Sequence, residues 1–197
     1  MACTVPRGAG DWRMTLQAAK QADMSTMDAP PVPAAAEVTL DELPAAIRRV
    51  IDTAMRAGIP YSLRRLPAEA IDPGTIAASC GTEPGALVRC VLYRGKATKK
   101  PMLVLASAKT PVSERALAQL VGEVQEKADA ATTERVTGFA PAGLPPFALT
   151  TRLPIVMDEL LVRLGRIWCM AGSADLIMSV PTNVLTRAIA ARIAKID

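Results

Sequence analysis

The chain has 197 residues, half of them apolar, which is enough for one domain with a substantial and mostly aliphatic core. It carries 23 Lys and Arg against 19 Asp and Glu, a mild positive charge that permits an anionic partner without requiring one. Histidine is absent, so a Ser-His-Asp triad, a Cys-His pair and a histidine-bearing zinc site within this chain are excluded.

Residues 1–38 are predicted to form a disordered tail. The segment 29–36, Ala-Pro-Pro-Val-Pro-Ala-Ala-Ala, has neither helical nor strand periodicity. The N-terminus lacks the charged and then apolar organisation of a signal peptide, and no apolar run approaches the length of a membrane span. We therefore predict one folded domain over residues 39–197, located in the cytoplasm without membrane contact.

Order is predicted to begin with an amphipathic helix. Its apolar residues recur at helical spacing: Leu43, Ile47, Val50, Ile51 and Ala54. Asp41 is the favoured N-cap because it puts Pro44 in the first turn, where a missing amide does little harm. Gly58 and Pro60 are expected to end the helix.

A strand, a helix and a hairpin are predicted next. Tyr61–Leu66 is read as a strand, and Pro73–Cys80 as a short helix. The apolar runs 86–93 and 102–106 are joined by a polar segment, which predicts a hairpin. Its tip is basic because it carries Arg94, Lys96, Lys99 and Lys100.

The second half of the chain alternates short helices with short strands. Ser113 can cap a helix that stops at Gly122, and another helix is expected over about 131–136. Thr182 is expected to cap a final helix that carries Leu185, Ile189 and Ile193. Between them the pattern predicts strands at 155–156, 167–171 and 175–180 and a helical stretch at 158–164. This order predicts an α+β fold with a single mixed, mostly antiparallel sheet surrounded by helices.

The most informative segment is the run 137–146, Thr-Gly-Phe-Ala-Pro-Ala-Gly-Leu-Pro-Pro. Two glycines and three prolines in ten residues indicate a rigid loop rather than a helix or strand interior. The backbone amides of such a loop can come close to a ligand. We call residues 137–146 the Gly/Pro loop.

Together with the segment 165–173, the Gly/Pro loop resembles that of the YbaK/ProX family of trans-editing aminoacyl-tRNA deacylases. The resemblance extends over roughly 41–196 and is strongest over 128–183. It implies hydrolysis of the ester between a wrong amino acid and the tRNA 3′ end, without cofactor or metal. Mischarged aminoacyl-tRNA is then the expected partner, and an aminoacyl-tRNA synthetase is a candidate second partner.

Arg89 stands where the family carries a lysine implicated in activity. Strand alternation puts Arg89 on the face of Leu87, Val91 and Tyr93, which by itself is also consistent with an arginine at a sheet edge. The resemblance makes Arg89 a catalytic candidate. A guanidinium keeps the positive charge of the lysine but does not transfer protons at neutral pH.

The family's Gly-x-x-x-Pro motif gives the other site candidates. Matching Pro146 as its proline puts Ala142 at the glycine position and Gly143 beside it, and alanine fits there only with a negative φ. Gly143 is the second catalytic candidate. The resemblance makes the following residues substrate-binding candidates: Gly138, Ala142, Leu144, Pro146, Asp158, Gly172 and Ser173. Asp158 also fits the pattern of a helix N-cap.

Two functions remain open at this stage. The first is a trans-editing deacylase in which Arg89 holds the terminal nucleotide, the Gly143 region polarises the ester carbonyl, and the hairpin tip touches tRNA phosphates. The second is a family member that has lost hydrolysis and acts as a nucleic-acid-binding or regulatory module. The second is favoured by the coincidence that Arg89 and Ala142 both depart from the family pattern.

Overall fold

The computed structural model describes residues 43–197. The predicted tail and the predicted N-cap Asp41 lie outside this part of the chain. The described residues form six α-helices: α1 Ala45–Arg56, α2 Pro73–Cys80, α3 Glu114–Val121, α4 Ala130–Thr137, α5 Glu159–Val162 and α6 Thr182–Ala188. They also form eight strands: β1 Ser62–Arg65, β2 Val88–Gly95, β3 Pro101–Ser107, β4 Gln125–Lys127, β5 Ile155–Asp158, β6 Arg166–Ser173, β7 Leu176–Pro181 and β8 Arg192–Ala194.

The predicted α+β class is correct, but the strands form two sheets rather than one. The three-stranded sheet has the order β1-β7-β6 and is antiparallel. The five-stranded sheet has the order β4-β2-β3-β5-β8, with antiparallel pairs on the β2 side and parallel pairs around β5. An isolated parallel bridge between Leu87 and Trp168 links the sheets. Periodicity identifies strands but not their partners, which is why the split was not predicted.

The ends of the chain's helices follow local signals where those signals are strong. Helix α2 has the capping box of Asp72 and Thr75 and ends at a left-handed Gly81. Ser113 caps α3, and Gly122 ends it in the left-handed region. Helix α1 begins later than predicted, since Pro44 is its N-cap and has an extended backbone.

The C-terminal segment differs from the prediction. Helix α6 ends at Ala188, and Thr182 is its first residue rather than its cap. Ala190 has a φ of 48°, which turns the chain out of the helix. Ile193 therefore lies in β8, which pairs in parallel with β5. Strand β4, which pairs with the end of β2, was also missed because three polar residues carry no period.

The largest buried cluster holds the Gly/Pro loop in place. It joins the apolar face of α1 to one face of β2, β3 and β5 and to the buried residues of β6 and β7. Phe139, Leu144 and Phe147 insert into it, each with at most 6% of its surface exposed. The loop is therefore anchored at two of its own residues and at the residue that follows it. None of the helices in the described part of the chain is both long and apolar enough to cross a membrane.

The tip of the β2–β3 hairpin is tied down by two glutamates. Glu123 accepts hydrogen bonds from the backbone N–H groups of Ala97 and Thr98 and from the Thr98 hydroxyl. Arg94 and Lys99 donate to Glu126 at 2.8 and 3.2 Å, so half of the predicted phosphate contacts are already paired. Lys96 and Lys100, the other two, are exposed.

We expect Glu123 to make the stability of the hairpin pH-dependent. The Thr98 hydroxyl, followed by the backbone amides, lowers the pKa of the Glu123 carboxyl from its ordinary 4.5. Because this pKa is lower in the folded chain, the stabilisation is present above the ordinary pKa and is lost as pH falls through the lowered one. As pH is lowered from about 6 to about 3, the free energy of unfolding of Glu123→Gln should therefore decrease less than that of the parent. Urea titrations at each pH measure this difference.

The matched control is Glu69→Gln, because Glu69 is exposed and its side chain makes no hydrogen bond or ion pair with residues 43–197. This variant should follow the parent across the pH range. Parallel curves for the parent and Glu123→Gln would contradict the assignment.

Candidate functional site

One edge of β2 is left open where the two sheets separate. The carbonyl of Leu92 accepts a hydrogen bond from Ala128 N at 2.9 Å, so the backbone groups of Leu92 face the β4 side. Alternation places the N–H and C=O of Cys90 on the same edge. Strand β4 pairs only with residues 93–95, and the edge before them borders two adjoining cavities.

The first cavity has a volume of about 250 Å³ and lies between this edge, α2, β6 and the Gly/Pro loop. We call it the apolar cavity. Most of its walls are aliphatic or aromatic: Pro73, Ile76, Leu87, Val88, Leu144, Trp168, Met170 and Ile177. A cavity of this kind accepts a small apolar group and offers few side-chain hydrogen bonds.

The second cavity has a volume of about 530 Å³ and is more polar at its rim. We call it the outer cavity. It also borders Lys127 and Thr133, and it shares five residues with the apolar cavity: Arg89, Cys90, Pro141, Ala142 and Leu144. The shared residues mark the boundary where a ligand that fills both cavities would cross from one to the other.

Ala142 is compatible with the backbone at this boundary. Pro141–Gly143 forms one turn of 3-10 helix, so Ala142 has the negative φ that an alanine needs. The amide of Gly143 donates to the carbonyl of Ala140 at 3.1 Å and is already used within the turn. The amide of Ala142 precedes this first bond and is available to a ligand, as at the start of any helix.

Gly143 is required for packing. A Cβ built on Gly143 would lie 2.7 Å from both the N and the Cα of Ser173, which are backbone atoms and cannot swing away. The Gly/Pro loop thus lies directly against β6. Ser173 contacts the loop from behind, and its hydroxyl donates to Asp175.

Two other predicted glycines support the loop from outside the cavities. Gly138 ends α4 with a φ of 75°, and Arg49 donates to its carbonyl at 3.3 Å. Gly172 has a φ of 98°, and a Cβ there would lie 3.1 Å from the ring of Phe139. Both positions shape the loop and neither lines the apolar or the outer cavity.

Asp158 and Pro146 are also placed away from this boundary. Asp158 is 1% exposed at the end of β5, and it accepts a hydrogen bond from Leu160 N at 3.1 Å, as the N-cap interpretation predicts. Pro146 borders a different cavity, on the α1 side of the loop. Of the predicted site residues, Arg89, Ala142 and Leu144 reach the boundary, with Gly143 directly behind them.

The guanidinium of Arg89 does not face the Gly/Pro loop. Arg89 Nη2 donates a hydrogen bond to the carbonyl of Thr110 at 2.8 Å. The regular β2–β3 register puts its side chain on the face of Val91 and Tyr93, whereas Cys90 packs into the cluster that holds Leu144. Arg89 thus borders both cavities, while one nitrogen of its guanidinium is held by the Thr110 carbonyl.

Two further residues at this site were not among the candidates predicted from the sequence. Lys127 is an exposed cation on β4 that borders the outer cavity. It was not a candidate because β4 was not predicted from the sequence. Cys90 borders both cavities and is partly buried. Burial, together with the nearby Cys169, raises the pKa of the Cys90 thiol well above its ordinary 9.0, so the thiol stays protonated at neutral pH. The described residues contain no cluster of three metal-ligating side chains.

The neighbouring positions 142 and 143 provide a matched test of the loop. Gly143→Ala should destabilise the protein by about 1–3 kcal/mol, because its Cβ meets the backbone of Ser173. Ala142→Gly creates no such conflict and should cost at most about 1 kcal/mol, through added freedom of the unfolded chain. Chemical denaturation measures both values, and equal losses would show that the close approach to Ser173 does not restrict the loop.

The chain is similar to known proteins both in sequence and in fold. The model of the aminoacyl-tRNA editing domain matches residues 69–188. A candidate trans-editing enzyme for prolyl-tRNA synthetase has a similar crystal structure, with 26% identity and a TM-score of 0.72 over 79% of this chain and 98% of that one. A structure from work on epitope backbone grafting by computational design is 27% identical, with a TM-score of 0.71 and the same coverage.

The fold extends to a more distant structure. The hypothetical protein APE2540 is 19% identical, with a TM-score of 0.69 over 75% of this chain and 98% of that one, and this likeness concerns the fold alone. No curated protein matches the chain.

Proposed function

The chain belongs to the aminoacyl-tRNA editing domain family, and we propose that it hydrolyses the ester bond of a mischarged aminoacyl-tRNA. We assign this activity to residues 39–197, acting as a free-standing editing factor. Editing by a second site is useful because synthetase pockets discriminate poorly between small amino acids of similar shape.

The observation that supports this proposal best is the pair of cavities that meet at Ala142 and Cys90. The apolar cavity, at about 250 Å³, suits the side chain of a small amino acid. The outer cavity is about twice as large and suits the terminal nucleotide. The ester that joins the two groups would then lie at the boundary.

Two backbone amides at this boundary can polarise the ester carbonyl. They are the amide of Ala142, at the start of the 3-10 turn, and the amide of Cys90, on the open edge of β2. Both would donate to the oxygen that becomes negative when water attacks the carbonyl carbon. Such fixed donors stabilise the tetrahedral intermediate without having to reorganise.

The reaction then needs only water and the substrate. Attack by water forms the new C–O bond, and collapse of the intermediate breaks the bond to the ribose oxygen. The proton lost by the water passes to that oxygen, with help from the neighbouring ribose hydroxyl. The products are the free amino acid and uncharged tRNA. The Cys90 thiol takes no part, because burial keeps it protonated.

Positive charge on the outer rim would hold the phosphates. Arg89 and Lys127 both border the outer cavity. Arg89 Nη2 donates a hydrogen bond to the carbonyl of Thr110, which leaves the other N–H groups of the guanidinium for a phosphate oxygen. Lys96 and Lys100 on the hairpin tip are further candidates. These interactions strengthen binding and steer association, with no role in proton transfer.

The second candidate is a tRNA-binding module that has lost hydrolysis. The position of Arg89 favours it, because the family's lysine position here carries a guanidinium that is directed to Thr110 rather than to the loop. The two candidates differ in turnover and agree in tRNA binding.

The first experiment is therefore deacylation of tRNAs that carry alanine, serine, cysteine, threonine or proline. We expect turnover of at least one ester, and loss of about 100-fold or more in Ala142→Leu, whose larger side chain blocks the boundary. Ala142→Gly is the matched control and should keep most of the activity. Tight tRNA binding without turnover of any ester would establish the binding module instead.

The roles of the boundary side chains can be separated kinetically. Cys90→Ala should retain kcat within a few-fold, because only the backbone of this residue is used. Arg89→Ala and Lys127→Ala should mainly raise KM, by about 10-fold each if each side chain holds one phosphate, with a smaller effect at high salt. A collapse of kcat in Cys90→Ala, or an unchanged KM in both cation variants, would contradict these assignments.

A further inference from the structure

We propose that a third cavity, on the α1 side of the Gly/Pro loop, binds phosphate groups. It has a volume of about 580 Å³. Its walls come from α1, from Pro146 at the end of the loop and residues 147–153 after it, and from the end of α6. Arg49, Arg56 and Arg152 all border it, and we call it the arginine cavity. It shares no lining residue with the apolar or the outer cavity.

One face of α1 forms one side of this cavity. Arg49, Thr53 and Arg56 are separated by four and then three residues, so they lie on one face of α1. This face is opposite to the apolar face that packs into the core through Ile47, Val50, Ile51 and Ala54. The Thr53 hydroxyl donates to the carbonyl of Arg49 at 2.7 Å, and Arg56 Nε donates to the carbonyl of Asp52 at 3.3 Å, which leaves the other nitrogens of the Arg56 guanidinium for a ligand.

The positive charge of the arginine cavity has no counter-charge among residues 43–197. No Asp or Glu lines it, and none of its three arginines forms an ion pair with a described carboxylate. Three guanidinium groups around one concave surface repel each other and attract an anion.

Arg49 is held in position by the loop. Its guanidinium lies over the ring of Phe139, 4.5 Å from the centroid, and one nitrogen donates to the carbonyl of Gly138 at 3.3 Å. Its Nε is buried and has no hydrogen-bond partner in the described part of the chain. These two contacts, with Phe139 and Gly138, hold the Arg49 side chain at the wall of the arginine cavity.

The walls also contain strained backbone. Ala148 and Ala190 have φ values of 62° and 48°, and both line the arginine cavity. Only one other non-glycine residue in the described chain, Lys99, has a positive φ. Strain of this kind persists where surrounding structure enforces it, and it is concentrated at ligand sites.

A phosphate group fits this chemistry better than a single carboxylate. Guanidinium groups present paired donors that match the oxygens of phosphate, and a group with more than one negative charge offsets more of the three positive charges. The phosphate could belong to the tRNA backbone or to a free phosphate compound. Binding here does not depend on the proposed hydrolysis, because the two sites share no residue.

The test is calorimetric titration of the full chain with inorganic pyrophosphate and, separately, with uncharged tRNA. The variant is Arg56→Gln with Arg152→Gln, which leaves Arg49 and its stacking on Phe139 intact. The control is Arg115→Gln with Lys195→Gln, which removes the same charge from exposed residues outside the cavity. Thermal unfolding of both double variants verifies that they are folded.

We expect the variant to weaken binding of at least one ligand by about 10-fold or more, and the control by less than about 2-fold. Weaker pyrophosphate binding alone identifies a free phosphate compound as the source. Weaker tRNA binding identifies the nucleic-acid backbone, and the salt dependence of log K should then fall by about 0.7–0.9 for each phosphate that is no longer neutralised. Equal binding of both ligands by variant and control overturns the proposal. Hydrolysis is not measured, so failure here leaves the deacylase test unaffected.

Discussion

The candidate site depends on a backbone contact, the close approach of Gly143 to Ser173. A side chain at position 143 would overlap the backbone of β6, so the Gly/Pro loop can lie this close only with glycine there. Phe139, Leu144 and Phe147 fix the rest of the loop through the core. Because the loop is held both by this backbone contact and by side chains in the core, the Ala142 amide keeps one direction relative to β2. Preorganised donors of this kind are effective because they need not be reoriented during the reaction.

The second requirement is the gap between the two sheets. If β2 paired with β6 along its whole length, Cys90 would give its backbone groups to a sheet ladder. Pairing is instead limited to the bridge at Leu87 and Trp168, and side chains from α2 and β6 close the space as an apolar cavity. The hydrogen-bond donors of the unpaired edge and the apolar wall of the cavity thus lie next to each other. An open edge inside a cleft is also protected from pairing with another chain.

The sequence predicts what local chemistry decides. The ends of α2 and α3 follow from Asp72, Ser113 and Gly122, because caps act within a few residues. Strand β4 and the split into two sheets depend on partners distant in sequence, so periodicity alone could not reveal them. At the site, composition alone indicated the Gly/Pro loop, whereas the close approach of Gly143 to Ser173 could be seen only in the fold. Alternation along β2 predicted which face of the strand carries the Arg89 side chain. Which face of the strand lies against the Gly/Pro loop could be seen only in the fold.

The absence of histidine from the chain fits a site of this design. Among residues 43–197, the side chains that border the apolar and outer cavities include Arg89, Lys127 and a protonated Cys90, and no carboxylate. The Cys90 thiol stays protonated near neutral pH because burial raises its pKa, and backbone amides do not titrate at all. Catalysis would then come from position and from fixed dipoles, while the substrate contributes its own hydroxyl group. An ester activated by a neighbouring hydroxyl is among the few substrates for which such a site suffices, because a less reactive amide would require protonation of its leaving group.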